Sequence, residues 1–103
     1  MIFIETPAFT DDIQRLMPDD LYARLQEHLA DHPDAGDLIE GTGGVRKVRW
    51  RLPGTGKSGG VRVIYYWRSA EGQILMLLVY KKAKQDDLTP SQKRSLRRVV
   101  ENW

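Results

Sequence analysis

The chain has 103 residues, 41% of them hydrophobic and 29% charged, and reads as one soluble domain over residues 1–103, near the lower comfortable size for a core without staples. It has no cysteine, which excludes disulfides, thiolate nucleophiles and thiolate zinc sites and accords with a reducing cytoplasm. The formal charge of +2 conceals two unlike halves: residues 1–44 carry ten acidic and two basic side chains, residues 45–103 fourteen basic and four acidic. Such asymmetry points to a polyanionic partner, against the plainer alternative that the halves neutralise each other in the fold.

Residues 2–5 read as an opening strand, with neither a basic n-region nor the long apolar run of a signal peptide. Thr10 is placed to cap a short helix with Asp11 and Asp12 in its first turn, where the helix dipole favours acids. Pro18 stands where a second helix can begin, and Leu21, Tyr22, Leu25 and Leu29 supply its apolar stripe. That helix must stop by Asp31 or His32, because Pro33 disfavours helical geometry in its predecessor. Residues 34–44 form a loop ending in Gly41-Thr42-Gly43-Gly44.

Two basic-aromatic strands follow, residues 45–50 and 61–67, joined by a glycine-rich loop, residues 51–60, that carries Lys57. Alternation puts Lys47 and Arg49 on one face of the first strand and Val48 and Trp50 on the other. In the second strand Arg62 shares a face with Ile64 and Tyr66, and its place in an otherwise apolar run predicts a partly buried, aimed guanidinium. After a turn at residues 69–72, residues 73–80 are continuously apolar, as in a central strand covered on both faces, and too few to span a bilayer. Lys81, Lys82 and Lys84 begin a connector that turns acidic. Thr89-Pro90-Ser91-Gln92 has the capping-box pattern, opening a last helix that buries Leu96, Val99, Val100 and Trp103. The fold class is α+β: a small antiparallel sheet with two N-terminal helices and one C-terminal helix.

Three familiar site patterns fail on inspection. Gly56-Lys57-Ser58 resembles the end of a phosphate-binding P-loop, but Arg51 replaces its first glycine and a β-branched strand follows where a helix is needed. His28 and His32 have the spacing of two ligands on one helical face, yet no third strong ligand is fixed and a proline follows directly, so no metal is expected. No Ser/His/Asp arrangement is readable, and most acids sit where helix starts explain them. The cations remain: Lys47, Arg49, Arg62, Lys81, Lys82 and Lys84, with phosphate the expected anion. Lysines guarding a sheet edge are the plainer account, and Arg62 resists it best. Cleavage of RNA can use the substrate's own 2′-hydroxyl as nucleophile, leaving the protein to align it, stabilise the phosphorane-like charge and protonate the leaving oxygen. A guanidinium fork suits the second task, and crowded ammonium groups suit proton transfer.

At these residues the sequence resembles the RelE/ParE superfamily of small bacterial toxins, and most closely its HigB branch. The resemblance is carried by Gly41-Thr42-Gly43-Gly44-Val45-Arg46-Lys47-Val48-Arg49, by Gly59-Gly60, and by Arg62-Val63-Ile64-Tyr65-Tyr66, with the strand ending at Tyr80-Lys81-Lys82 in matching order. It implies a RelE-like fold and a cofactor-free, metal-independent, ribosome-dependent endoribonuclease that cuts messenger RNA in the cytoplasm. It also implies silencing by a cognate antitoxin, a helix-turn-helix protein like HigA. By position, Arg62 would stand at the scissile phosphate, with Lys47, Arg49 and Lys82 supplying charge and proton transfer. Lys57, Arg46, Arg51, Lys81, Lys84, Tyr66 and Tyr80 would meet RNA or ribosome. Leu88 departs from the family, falling where some members place a base-stacking tyrosine. Within the superfamily the alternative is a ParE-like toxin that binds and blocks a DNA topoisomerase without catalysis; converging strand cations favour RNA cleavage. A non-toxic RNA-binding module is a third, blander possibility.

Overall fold

The computed structural model describes residues 1–53, 60–85 and 87–103. Strands β1 (Ile2–Glu5), β2 (Asp37–Leu38), β3 (Arg46–Trp50), β4 (Val61–Arg68) and β5 (Gln73–Lys81) pair in the order β1-β5-β4-β3-β2. The pairs β2–β3, β3–β4 and β4–β5 are antiparallel, while β1 runs parallel to β5, so the sheet is mostly antiparallel. Helices α1 (Pro7–Leu16) and α2 (Asp19–Asp31) cover one face and α3 (Pro90–Glu101) the other. This is the expected α+β architecture, with two additions that the chain pattern concealed: a mixed sheet and the two-residue edge strand β2.

Each face is packed by one phase of the strand alternation. Val48, Val63, Tyr65, Ile74 and Met76 meet Phe9, Ile13, Leu25 and Leu29 on the α1–α2 side. Val45, Ile64, Leu75 and Leu77 meet Leu88, Leu96, Val99 and Val100 on the α3 side. Both sides of β5 are thus buried, as its unbroken apolar run requires.

Along β5 the phase changes once. Ile64 pairs with Leu78 and the next residue, Tyr65, pairs with Met76, so Leu77 is passed over. Leu77 and Leu78 therefore both face α3, and every later residue is inverted relative to a regular strand. Without this bulge Tyr80 would share the face of Ile74 and Met76. With it, Tyr80 lies on the α3 side, beside Arg62.

The helix ends show how local chemistry sets position. Helix α1 is capped by Thr6, whose hydroxyl accepts from the Phe9 amide at 3.1 Å, with Pro7 in the first turn. The cap expected at Thr10 is therefore corrected: Thr10 lies inside the helix and its hydroxyl donates to Glu5 Oε1 at 2.6 Å. Pro18 is the N-cap residue of α2, and His32 ends it as Pro33 dictates. Thr89 and Gln92 form the full capping box of α3. Trp103, expected to be buried, is 43% exposed because α3 ends at Glu101.

The glycine motif before β3 is a turn. Buried Thr42 donates to the Ile39 carbonyl at 2.6 Å and accepts from the Val45 amide at 3.1 Å. Gly44 takes φ +114°, and a Cβ there would stand 3.2 Å from the Tyr66 ring, so no other residue fits without strain.

Candidate functional site: a cationic pocket on the sheet

Beyond the part of the sheet that α3 covers, the same face continues as charge. Arg49 on β3 pairs in register with Arg62 on β4, and Arg62 with Tyr80 on β5. Lys47 stands two residues along β3, opposite Ile64. The expected alternation holds: Lys47 and Arg49 face this side, while Val48 and Trp50 pack towards α1 and α2.

Lys47, Arg49, Arg62, Lys82 and Asp87 line a cavity of about 270 Å³. Arg62 is its floor, only 6% exposed in a strand flanked on both sides. Arg49 and Lys82 are exposed at the rim, and Lys47 is half-buried. Lys82 reaches this place because its amide donates to the Gly60 carbonyl at 3.2 Å, extending the end of the β4–β5 pairing into the turn.

Asp87 is the one carboxylate among these lining residues. Lys47 Nζ donates to Asp87 Oδ1 at 3.0 Å. That hydrogen bond, and then the lysine's charge, hold the Asp87 carboxyl below its ordinary value of 3.8, with lesser help from Lys93 and Arg49. Leu88 explains why Asp87 is there: it is buried in the α3 cluster, which fixes the connector beside the pocket. The Arg62 guanidinium has no hydrogen-bond or ion-pair partner among the described residues. A buried guanidinium without a carboxylate is costly, and an oxyanion from outside would satisfy it with two parallel hydrogen bonds.

The structure therefore gathers Arg62, Lys47, Arg49 and Lys82 into one cavity. The other basic and aromatic candidates lie elsewhere. Lys81, Lys84 and Tyr80 line a neighbouring cavity. Arg46 points to the opposite side, where its guanidinium donates to the Asp34 and Gly36 carbonyls at 3.2 and 2.8 Å; its alternation phase differs from that of Lys47. Arg51 is exposed past the end of β3. Tyr66 is packed against Gly44 and the α3 cluster, two positions beyond Ile64. Lys57 and the glycines from Gly54 to Gly59 lie outside the described residues. Asp87 is not among the sequence candidates; an acid closing a lysine-rich connector is its only signal there. His28 packs at a tilt against Trp50, 5.6 Å between ring centroids, and against His32 at 5.5 Å, an aromatic row on the far face.

A family model described as the RelE toxin of the RelE/RelB toxin–antitoxin system matches residues 14–103. The chain belongs to the RelE toxin family. Solved structures agree in fold at low identity. A double arginine-to-alanine mutant of E. coli toxin RelE in the free state is similar, with a TM-score of 0.62 and 12% identity over 91% of this chain and 94% of that one. The intact E. coli RelBE toxin–antitoxin complex matches with a TM-score of 0.55 and 14% identity, over 78% of this chain and 94% of that one. Isolated E. coli RelE toxin gives 0.54 and 13%, over 95% and 97%. Among the described residues no helix is long and apolar enough to cross a membrane.

Proposed function

We propose that this RelE-family chain is a ribosome-dependent endoribonuclease of the HigB branch, cleaving messenger RNA without a metal ion. The observation that carries the proposal is Arg62: a nearly buried guanidinium, free of carboxylate partners among the described residues, on the floor of a pocket shared with Lys47, Arg49 and Lys82. In this mechanism the scissile phosphate lies on Arg62, whose fork holds the non-bridging oxygens as charge grows on them. The ribosome and Arg49 align the 2′-hydroxyl for in-line attack. The 2′-oxygen bonds to phosphorus, the 5′-oxygen leaves, and a 2′,3′-cyclic phosphate remains. Lys47 and Lys82 stand where proton transfer to or from these oxygens is needed.

A cognate antitoxin like HigA, acting in the cytoplasm, would silence the toxin by covering this pocket with acidic and apolar residues. Complementary charge would speed association and make its on-rate fall with salt.

The test is cleavage of messenger RNA on programmed ribosomes. Parent protein is expected to produce new 5′ ends in the decoded frame, and Arg62→Ala to lose at least about a hundredfold in rate while remaining folded. An Arg62→Ala protein that cleaves like its parent removes the proposed site. Intact messages accompanied by DNA damage in cells would replace ribonuclease activity with topoisomerase inhibition.

A further inference from the structure

Lys81 and Lys82 are neighbours in the chain but serve different cavities. Lys82 lines the pocket around Arg62, whereas Lys81 lines a second cavity of about 320 Å³ with Tyr80, Lys84 and the last turns of α1. The second cavity has a structural cause. Strand β1 ends at Glu5, opposite Met76, so from Leu77 onward β5 has no strand on that side. Helix α1 runs there instead, fastened by Thr6, whose hydroxyl donates to the Leu77 carbonyl at 2.8 Å. Asp12, Arg15 and Leu16 are thereby placed against the end of β5.

The two cavities differ in chemistry. The first is walled by charged side chains throughout. The second mixes Leu16, Val79 and Tyr80 with Arg15, Lys81 and Lys84, and because Val79 faces α1 and α2 while Tyr80 faces α3, it lies across the free edge of β5. Its carboxylate, Asp12, is engaged in an ion pair with Arg15. Lys81 and Lys84 have no ion-pair partner among the described residues. Tyr80 connects the cavities, since it lines the second and pairs in register with Arg62 of the first. Adjacent strands are about 4.8 Å apart, so a group seated on Arg62 has the second cavity as its immediate neighbour.

We propose that this second cavity is a nucleoside subsite. It takes the base and ribose of the nucleotide next to the phosphate held at Arg62, with the base over the free edge of β5, between Leu16 and Tyr80. Arg15, Lys81 and Lys84 meet that nucleotide's own outer phosphate. Volume and lining suit such a ligand, at the small end of pockets that hold organic molecules. Contact through an aromatic and aliphatic wall is tolerant of base identity, and lysines serve phosphates as point charges. The proposal rests on the ribonuclease reading for the ligand of the first pocket and adds a second point of attachment from α1, in the acidic half of the chain.

Two probes separate the cavities in an NMR titration of the isolated, isotope-labelled protein. Inorganic phosphate is expected to shift signals of Arg62, Lys47 and Lys82 while leaving the Leu16 and Val79 methyl groups unmoved. A 5′-phosphorylated uridine dinucleotide with 2′-O-methyl riboses, which cannot be cut, is expected to shift both sets. The variant carrying Arg15→Glu and Lys84→Glu, both at exposed positions, should bind the dinucleotide about tenfold more weakly with phosphate binding nearly unchanged. Arg24→Glu, an exposed reversal away from both cavities, should alter neither. Dinucleotide shifts confined to the first pocket, or a double variant no weaker than Arg24→Glu, would overturn the subsite and leave the ribonuclease reading standing. Silence of both cavities towards both probes would reject the two together.

Discussion

Arg49 and Arg62 stand directly opposite each other across β3 and β4, two guanidinium groups in register on one face of the sheet. Like charges so placed oppose folding, and Arg62 is 6% exposed, which leaves little water to screen it. An anion held between the two guanidinium groups would relieve that repulsion. The same relationship makes the site's cost measurable.

Arg62→Met keeps the length and apolar stem of the side chain and removes the charge. It is expected to stabilise the fold by about 1 kcal/mol in urea denaturation while abolishing the proposed cleavage. A variant that loses both stability and activity would assign Arg62 a structural role.

The parts of this site legible in the sequence were those governed by the period of two. Lys47 with Arg49 on one face follows from alternation alone, a partly buried Arg62 from its place in an apolar strand, and the capping box at Thr89 and Gln92 from local hydrogen bonding. What was hidden depends on partners far along the chain. The cap of α1 falls to Thr6, whose hydroxyl is also held on the Leu77 carbonyl, while the Thr10 hydroxyl is taken by Glu5. Strand β2 exists only because Asp37 and Leu38 meet Lys47 and Arg46. The bulge at Leu77 leaves no mark in a run that is apolar throughout, yet it decides which face Tyr80 joins.

Glu5 also receives the Tyr22 hydroxyl, on Oε2 at 2.6 Å, so one carboxylate ties β1 to both N-terminal helices. Burial first, and then the hydrogen bond and charge of Glu5, push the Tyr22 phenol well above its ordinary value of 10.0. A raised folded value means that this stabilisation is complete below the unfolded value and is lost as pH rises beyond it. Tyr22→Phe should therefore cost about 1 kcal/mol at neutral pH. The gap between parent and variant in urea midpoints should shrink between about pH 9 and about pH 11. A gap constant across that range would show that the Tyr22 hydroxyl is not coupled to Glu5.

Gly36 lies where the loop before β2 presses on β3. A Cβ there would stand 2.9 Å from the Lys47 carbonyl oxygen and 2.9 Å from Tyr65 Cε1. The Gly36 amide donates to the Tyr65 hydroxyl at 2.9 Å, and that hydroxyl donates to the Pro33 carbonyl at 2.8 Å. Gly36→Ala is expected to cost about 1–3 kcal/mol, read as a lower Tm. An unchanged Tm would show that the loop moves away from β3 without loss.

Asp87 occupies the pocket as an internal anion, and its replacement tests what Lys47 is for. In Asp87→Asn the lysine loses its carboxylate, so inorganic phosphate should bind about two- to fivefold more tightly, the scale of an exposed ion pair. Stability should respond to pH in the opposite sense to Tyr22. The folded Asp87 value is depressed, so its contribution is present above the ordinary aspartate value and disappears as pH falls through the depressed one. The difference in urea midpoint between parent and variant should hold steady above about pH 5 and close below about pH 4. A difference unchanged to about pH 2 would show that Asp87 is not paired with Lys47 in solution. Weaker phosphate binding in the variant would show that Asp87 helps to hold the anion instead of competing with it.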